Sequence, residues 1–147
     1  MTIAAETDCW AYLKIISKRP LAAIESHIGR KADGRSWSVG DARRRPGQRP
    51  YDFSFWSWES GAVRGEPLDT HLRCLWRRLE PFRQALIDLP EDMKAYAQCV
   101  GKFATHQNPV SIASGHFATA ASYRLVWDFD FYFGDEFGHD EMPYWKW

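Results

Sequence analysis

The sequence predicts an α+β protein, a ferredoxin-like sandwich in which a mainly antiparallel sheet carries its helices on one face. Segments with the period-two alternation of strands interleave with segments of helical period. Their order is strand, helix, strand, strand, helix, strand, helix, strand. A length of 147 residues suits a single domain, and 45% hydrophobic residues with 16% aromatics supply a core and exclude disorder. We expect a core over residues 9–133 and an acidic, aromatic tail over residues 134–147.

The first strand and the first helix are predicted near the beginning of the chain. Residues 9–16, CWAYLKII, are apolar and rich in strand formers. Pro20 follows, at a position that suits the first turn of a helix. Leu21, Ile24 and Ile28 then form one apolar stripe, and Gly29 stands where a left-handed helix terminus is favoured. We therefore predict a strand and a short amphipathic helix.

Two strands are predicted between residues 36 and 58. The first covers residues 36–39 and ends at a turn formed by Gly40 and Asp41. The second is YDFSFWSW, residues 51–58, which alternates two sets of aromatic rings. The first face carries Tyr51, Phe53 and Phe55, and the second carries Trp56 and Trp58. Both faces are expected to be at least partly covered.

A long core helix is predicted over residues 68–87. Its apolar residues step by three or four positions, which is the clearest helical stripe in the chain. Pro81 lies inside this stripe, and proline removes a helical hydrogen bond and crowds the preceding turn. We therefore expect a kink or a break near Leu79.

The second half of the chain predicts a strand, a short helix and a final strand. Residues 94–103 alternate a small-residue face, which would let a helix approach closely, with a polar and larger face. A loop at residues 106–109 and a brief strand at 110–112 are expected next. Ser114 is placed to cap a helix that runs through Ser122. The final strand, residues 125–133, directs Trp127, Phe129, Phe131 and Phe133 inward and Asp128, Asp130 and Tyr132 to the opposite face.

Charge is unevenly distributed although the net charge is zero. Residues 30–50 carry seven Arg and Lys against two Asp, and residues 125–147 carry six Asp and Glu against Lys146. Such asymmetry directs the approach of partners, or it reflects pairing between the two segments.

Cysteine usage and hydropathy indicate a cytoplasmic protein. Cys9, Cys74 and Cys99 are odd in number and widely spaced, which fits reduced thiols better than a disulfide framework. The chain starts without a recognisable secretion signal, and no apolar run approaches the ~20 residues that cross a bilayer. We expect no membrane association.

Catalytic and metal-binding signals are weak. His71 and Cys74 lie at positions i and i+3 of the predicted long helix, close enough to share a metal, but no second ligand pair follows at zinc spacing. Asp128 and Asp130 could act as paired carboxylates or bind a hard cation, although polar residues on a solvated sheet face explain them equally well. The five histidines are scattered and match no nucleophile motif. We therefore predict no catalytic residues, no metal and no cofactor.

A basic loop is the segment most suited to nucleic acid. Arg43, Arg44, Arg45 and Arg49 are interleaved with aromatic residues, a combination that can grip phosphates while stacking bases. The chain has no glycine-rich phosphate loop and no nucleic-acid module signature. A solvated basic loop beside core tryptophans is the competing interpretation.

An ordered set of segments resembles the domain-of-unknown-function family 4279, small bacterial α+β proteins. The set comprises WAYLKI, PLAAIESHIG, SWSVGD, FWSWES, LDTHLRCLWRRLEP and FDFYF, and it spans about residues 9–133. The resemblance implies a ferredoxin-like or related sandwich and supplies no catalytic residues or cofactor. Some small families of this kind serve as immunity proteins of toxin systems, an analogy at the level of fold.

The leading functional hypothesis is a non-catalytic protein that binds another protein, as an immunity-type or regulatory partner. Interfaces favour tryptophan and arginine, and this chain has both in abundance. The alternatives are binding of nucleic acid or nucleotide through the basic loop, and a small enzyme without a recognised motif. The candidate binding residues are Arg43, Arg44, Arg45, Arg49, Trp56, Trp58, Asp128, Asp130 and Tyr132.

Overall fold

The structure is a computed structural model that describes residues 8–103 and 110–133. The predicted α+β class is confirmed. In chain order, the elements are β1 (Asp8–Ser17), α1 (Leu21–Ile28), β2 (Ser36–Trp37), β3 (Ser54–Glu59), α2 (Leu68–Leu79), a 3₁₀ turn (Glu80–Phe82), α3 (Arg83–Ile87), β4 (Met93–Phe103), α4 (Ser114–Ser122) and β5 (Val126–Phe133).

The strands form one mixed sheet in the order β2-β3-β1-β4-β5. The pairs β2–β3, β1–β3 and β1–β4 are antiparallel, and β4–β5 is parallel. The sheet is therefore mainly antiparallel, as predicted. The parallel pair requires a crossover, and α4 lies within it.

The helices cover one face of the sheet. Along β1 every second side chain is buried, because successive strand residues point to opposite faces. Leu13 and Ile15 from β1 join Ile24 from α1 and Leu72 from α2 in one hydrophobic core, and each of these side chains is fully buried. The opposite face of β1 carries partly exposed side chains, and it forms the surface on which the candidate site lies.

The break predicted at Pro81 is confirmed. Helix α2 ends at Leu79, the 3₁₀ turn contains the proline in its first positions, and α3 begins at Arg83. Phe82, at the end of the turn, is buried and packs edge-on against Trp58 with ring centroids 5.1 Å apart. The proline thus redirects the chain so that Phe82 enters the core.

The predicted strand over residues 36–39 is shorter than expected, and the one over residues 51–58 starts later. Strand β2 has two residues because the chain turns directly after it: Gly40 adopts a φ of 88°, and the Ser38 amide donates to the Asp41 carboxylate. Strand β3 starts at Ser54. Before it, the backbone amide of Tyr51 donates to the carbonyl of Asp41, which holds this segment against the turn.

Residues 110–112 do not form the brief strand that was predicted. This segment has no regular secondary structure; Val110 and Ile112 are partly buried and pack against the core. Apolar contact, without strand pairing, explains their pattern. The predicted loop at residues 106–109 and the predicted acidic tail at residues 134–147 lie outside the described residues. No helix in the described part of the chain has the length and apolar character needed to cross a membrane.

The aromatic side chains of β5 are less buried than the prediction of an inward face implied. Trp127 and Phe131 are half-buried, and Phe129 is 39% exposed. The register pairs β5 with β4 alone among the described strands, so β5 lies at an edge where the helices cover it incompletely.

Candidate functional site

The helix-free face of the sheet holds the candidate site, a cleft of about 540 Å³. This volume lies in the range of about 300–1,000 Å³ that is typical of small-molecule pockets. Its floor is formed by alternate residues of β1, β3 and β4, and its walls by the loop before β2 and the loop after β3. The principal lining residues are Trp10, Tyr12, Arg35, Trp37, Phe55 and Arg64.

Strand registers explain why these aromatic rings meet. Trp37 lies directly opposite Phe55 in the β2–β3 pair, and their rings stack with centroids 4.3 Å apart. Tyr51 stacks on the Trp37 ring at the same distance, so three rings form a continuous wall. Trp10 and Tyr12 share the other alternation of β1, two strands away from β2. The cleft is therefore bounded by aromatic residues on two sides.

Two arginines lie against these rings. The guanidinium carbon of Arg35 is 5.7 Å from the centre of the Trp37 ring, and that of Arg64 is 4.4 Å from the centre of the Trp10 ring. Arg64 also forms an ion pair of 2.9 Å with Asp8 at the start of β1. Cation–π contacts and the ion pair hold these long side chains in place, which lowers the entropy that a ligand contact would have to overcome.

Acidic and phenolic groups at the cleft ionise less readily than usual. Burial raises the pKa of Glu59, the neighbouring Asp33 raises it further, and Arg78 and Arg64 oppose the shift. The pKa of Tyr12 is raised chiefly by burial and then by Glu59. The Tyr12 hydroxyl is consequently neutral at physiological pH and can donate a hydrogen bond to a ligand in the cleft.

A polar network lies beside the cleft and links three strands. The Lys14 ammonium on β1 donates to the Gln98 side-chain oxygen on β4 at 2.6 Å and forms an ion pair with Asp128 on β5. Gln98 in turn donates to the Asp130 carboxylate at 3.1 Å. Asp128, Asp130 and Tyr132 share the helix-free face, since they lie opposite alternate residues of β4. Burial, followed by the Asp130 charge, raises the pKa of Tyr132 to about 12.

The arginines of the basic loop lie at the margin of this surface. The guanidinium of Arg43 lies 4.7 Å from the centre of the Tyr51 ring, on the aromatic wall. Arg44, Arg45 and Arg49 are exposed. None of the four is among the residues that line the cleft. The loop arginines therefore lie next to the aromatic residues of the cleft but outside the cleft itself.

Trp56 and Trp58, expected at a binding surface, lie in the core. Trp56 is fully buried and Trp58 is 9% exposed, because both point to the helix-covered face of β3. Their rings stack with centroids 5.8 Å apart, and the Trp56 indole donates to the carbonyl of Arg30. Neither ring is positioned to contact a partner, and their role is to fill the space between β3 and the helices.

Two histidines have partners that sequence spacing did not suggest. His71 accepts or donates a hydrogen bond of 2.7 Å with the Ser60 hydroxyl, and both residues are buried. The Ser60 hydroxyl also accepts from the Ala62 amide, which stabilises the turn after β3. Burial lowers the pKa of His71. Ser60 and His71 both line the cleft, and the pairing of His71 with Cys74 considered from spacing is not observed.

His116 connects α4 to α2. The Trp76 indole N–H donates to its Nδ1 at 2.9 Å, so Nδ1 must be unprotonated. Its Nε2 consequently carries the proton and donates to Asp69 at 2.6 Å. Asp69 and His116 are separated by 47 positions, which explains why no local pattern revealed them. Within the described residues no three His, Cys, Asp or Glu side chains converge as a metal-binding group.

The cleft was not predicted from the sequence, although the pattern of residues in the first strand indicates it. In CWAYLKII the residues of one alternation are small or aliphatic, whereas those of the other are Trp10, Tyr12, Lys14 and Ile16. In an antiparallel strand with one small or aliphatic face and one mainly aromatic and polar face, the second face is the one that lies outside the core. Arg35 and Arg64 carried no comparable signal, because loop conformation brings them to the cleft.

A protein-family model described as "Domain of unknown function (DUF4279)" matches residues 6–134. The chain belongs to the DUF4279 family. Comparison with curated proteins gave no match, and comparison with solved structures also gave none. The match spans both walls of the cleft and the polar network on β5, so the candidate site lies within the DUF4279 region.

Proposed function

We propose that this DUF4279 protein is a non-catalytic binding protein that engages a partner protein through the cleft on the helix-free face. The observation that supports this proposal is the arrangement of Trp10, Trp37 and Phe55 between Arg35 and Arg64 in one concave surface. Aromatic rings and arginines dominate the energetics of protein interfaces, since they give large contact areas at low ordering cost. A partner side chain that enters the cleft would lie between aromatic residues and the two arginines.

The charge around the cleft favours a protein partner over nucleic acid. Arg64 is already ion-paired with Asp8, and Glu59 lines the same cleft. Beside it, Lys14 is ion-paired with Asp128. A phosphate backbone binds to cations in excess, whereas protein surfaces usually present charges of both signs. The mixture of charges at the cleft therefore fits a partner of mixed charge.

The second candidate function is binding of single-stranded nucleic acid at the edge of the same face. It is favoured by the exposure of Arg44, Arg45 and Arg49 beside the stacked rings of Tyr51 and Trp37. Stacking on aromatic rings together with backbone contacts from arginine is the general mode of single-strand binding. Replacement of the three exposed arginines by glutamine tests this candidate directly in a mobility-shift assay at several salt concentrations.

The biological role that we propose is that of an immunity-type or regulatory partner in the bacterial cytoplasm. The family resemblance supports the role by analogy alone. Cys9, Cys74 and Cys99 are free thiols in the structure, which agrees with a reducing compartment. We also propose a ferredoxin-like description for residues up to the end of β4, because their strands follow the antiparallel order β2-β3-β1-β4.

The test compares the full-length protein with a Trp10→Ala variant in capture from the native host. A partner captured in stoichiometric amount would be expressed alone, and its dissociation constant measured by calorimetry for both proteins. We expect at least tenfold weaker binding for the variant, as for a central interface aromatic. Phe117→Ser, which replaces an exposed ring on α4, is the matched control and should leave binding through the cleft unchanged.

Two outcomes would contradict the proposal. Equal affinity of both proteins would exclude the cleft as the contact surface. Loss of the complex after nuclease treatment, with affinity that falls steeply as salt rises, would favour nucleic acid. A variant that unfolds would not test the cleft, so circular dichroism is recorded first, and Phe55→Ala replaces Trp10→Ala if the first variant is unfolded.

A further inference from the structure

Strand β5 leaves a long sheet edge without a partner strand among the described residues. It has eight residues and pairs only with β4 in that part of the chain. The outer edge of such a strand presents backbone N–H and C=O groups that can pair with another chain. At the other end of the sheet β2 has only two residues, so β5 is the edge able to accept a full strand.

An exposed apolar patch borders this edge on the helix side. The rings of Trp127 and Phe129 are nearly parallel, with centroids 5.4 Å apart, and Phe117 from α4 lies 5.0 Å from Trp127. Phe117 is 45% exposed and Phe129 is 39% exposed. Large exposed apolar side chains grouped in this way are typical of interaction surfaces.

The opposite side of the same edge is acidic. Asp128 and Asp130 point to the helix-free face, and the Asp128 side chain is 40% exposed although Lys14 pairs with it. A strand added beside β5 would place alternate side chains next to these carboxylates and the intervening ones next to the Phe117 and Phe129 rings. The two sides of the edge thus require different chemistry from the added strand.

Pairing of two copies through β5 is disfavoured by these carboxylates. Three antiparallel registers centred on residues 128–130 keep the polar faces of the two copies on the same side. In these registers, Asp128 lies opposite Asp128, Asp128 lies opposite Asp130, or Asp130 lies opposite Asp130 of the second copy. A parallel pair through the same outer edges would turn the second copy over, so that the carboxylates of one copy share a face with the aromatic side chains of the other. Like charges directly opposite each other destabilise a strand pair, and opposite charges stabilise it.

We propose that the β5 edge accepts an extended strand of a partner protein in which Lys or Arg alternates with apolar residues. The cations lie beside Asp128 and Asp130, the apolar side chains cover Phe117 and Phe129, and backbone hydrogen bonds continue the sheet. This surface is separate from the cleft. The inference therefore goes beyond the proposed function, and variants distinguish the two sites.

The experiment uses the full-length protein and the peptide acetyl-Thr-Lys-Val-Lys-Val-Lys-Thr-amide as the probe. Binding is followed by calorimetry, and NMR reports the amides of β5. We expect saturable binding and new protection of alternate β5 amides from hydrogen exchange. A peptide with Glu in place of Lys should fail to bind. Two isomers, N-methylated on opposite edges of the peptide, should differ, because only one edge can pair with β5.

Variants of the protein locate the contact. The double change Asp128→Asn and Asp130→Asn should weaken binding of the peptide roughly two- to thirtyfold, as for the loss of two cross-strand charge pairs. Phe117→Ser should also weaken it, whereas Trp10→Ala in the cleft should leave it unchanged. Each variant is first compared with the parent protein by circular dichroism and thermal unfolding.

Several results would overturn the proposal. Equal binding of both N-methylated isomers would mean that the peptide is held by charge without strand pairing. If alternate outward-facing amides of β5 are already protected from hydrogen exchange in the free protein, another part of the chain covers the edge. Concentration-dependent dimerisation in sedimentation experiments, abolished by Phe129→Ser, would assign the edge to a second copy. If Phe117→Ser and the aspartate variant both keep full affinity, the peptide binds elsewhere.

Discussion

Replacing Gly34 by alanine should destabilise the protein and distort the wall of the cleft. An ideal Cβ atom on Gly34 would lie 2.5 Å from the Ser57 hydroxyl oxygen and 2.6 Å from a carboxylate oxygen of Glu59. The Glu59 carboxylate ends a flexible side chain and can turn away. Ser57 cannot, because it is 1% exposed and its hydroxyl donates to the Arg35 carbonyl at 2.7 Å.

The sign of the change in unfolding free energy distinguishes a steric clash from an effect of alanine on the backbone of the unfolded chain. Gly34 does not have a positive φ, so alanine without a clash would stabilise by about 0.4–1 kcal/mol through the unfolded state. Overpacking costs about 1–3 kcal/mol. We therefore expect a net loss of about 1–2 kcal/mol, which corresponds to a fall in Tm of ~2–8 °C for a chain of this length.

The assay is thermal unfolding followed by circular dichroism, with Gly115→Ala as the matched control. Gly115 lies in α4 with nothing within 4 Å of an added Cβ, so alanine there should raise Tm slightly. Gly34→Ala should also lower Tm by less when Ser57 is replaced by alanine, because the oxygen atom that clashes with the added Cβ is then absent. A rise in Tm for Gly34→Ala, or an unchanged loss in that background, would refute the steric argument.

Three further outcomes are expected. Burial, and then Asp33, raise the pKa of Glu59, so the stability associated with its protonated form is complete below the ordinary pKa of about 4.3 and is lost as pH rises through the raised value. Glu59→Gln should therefore gain Tm relative to the parent as pH increases, and a pH-independent difference would contradict this. His116→Ala leaves the Trp76 indole without its acceptor and should cost about 1–3 kcal/mol in urea unfolding. Leu72→Ala, at a fully buried position, should cost about 3–5 kcal/mol in the same assay, and a loss below 1 kcal/mol would be inconsistent with its packing.

Local patterns in the sequence predicted most of the fold. The break after Leu79 followed from Pro81 alone, and the alternations of β1, β4 and β5 gave those strands almost to their ends. These features depend on neighbouring residues, so a single sequence contains them. Strand β3 was extended too far because Tyr51 reads as a strand residue, whereas its backbone amide bonds to the turn at Asp41.

The site was less predictable because it depends on which face the helices cover. Alternation showed that Trp56 and Trp58 share a face and that Trp10 and Tyr12 share another, but it does not say which face is buried. Trp56 and Trp58 of β3 were predicted as candidate binding residues, and they lie in the core. The contact between Arg64 and Trp10 depends on a loop conformation that no local pattern specifies.

The sheet order makes the pairing of β1 with β4, and not the crossover to β5, the closure that costs most chain entropy. The β4–β5 connection closes over the 22 residues between Phe103 and Val126, whereas β1 meets β4 across the 75 residues between Ser17 and Met93. The entropy lost on closing a loop rises with its length, so the parallel pair costs less to close than the central antiparallel pair. The ion pair between Lys14 and Asp128 spans both pairings, because it joins β1 to β5 across β4.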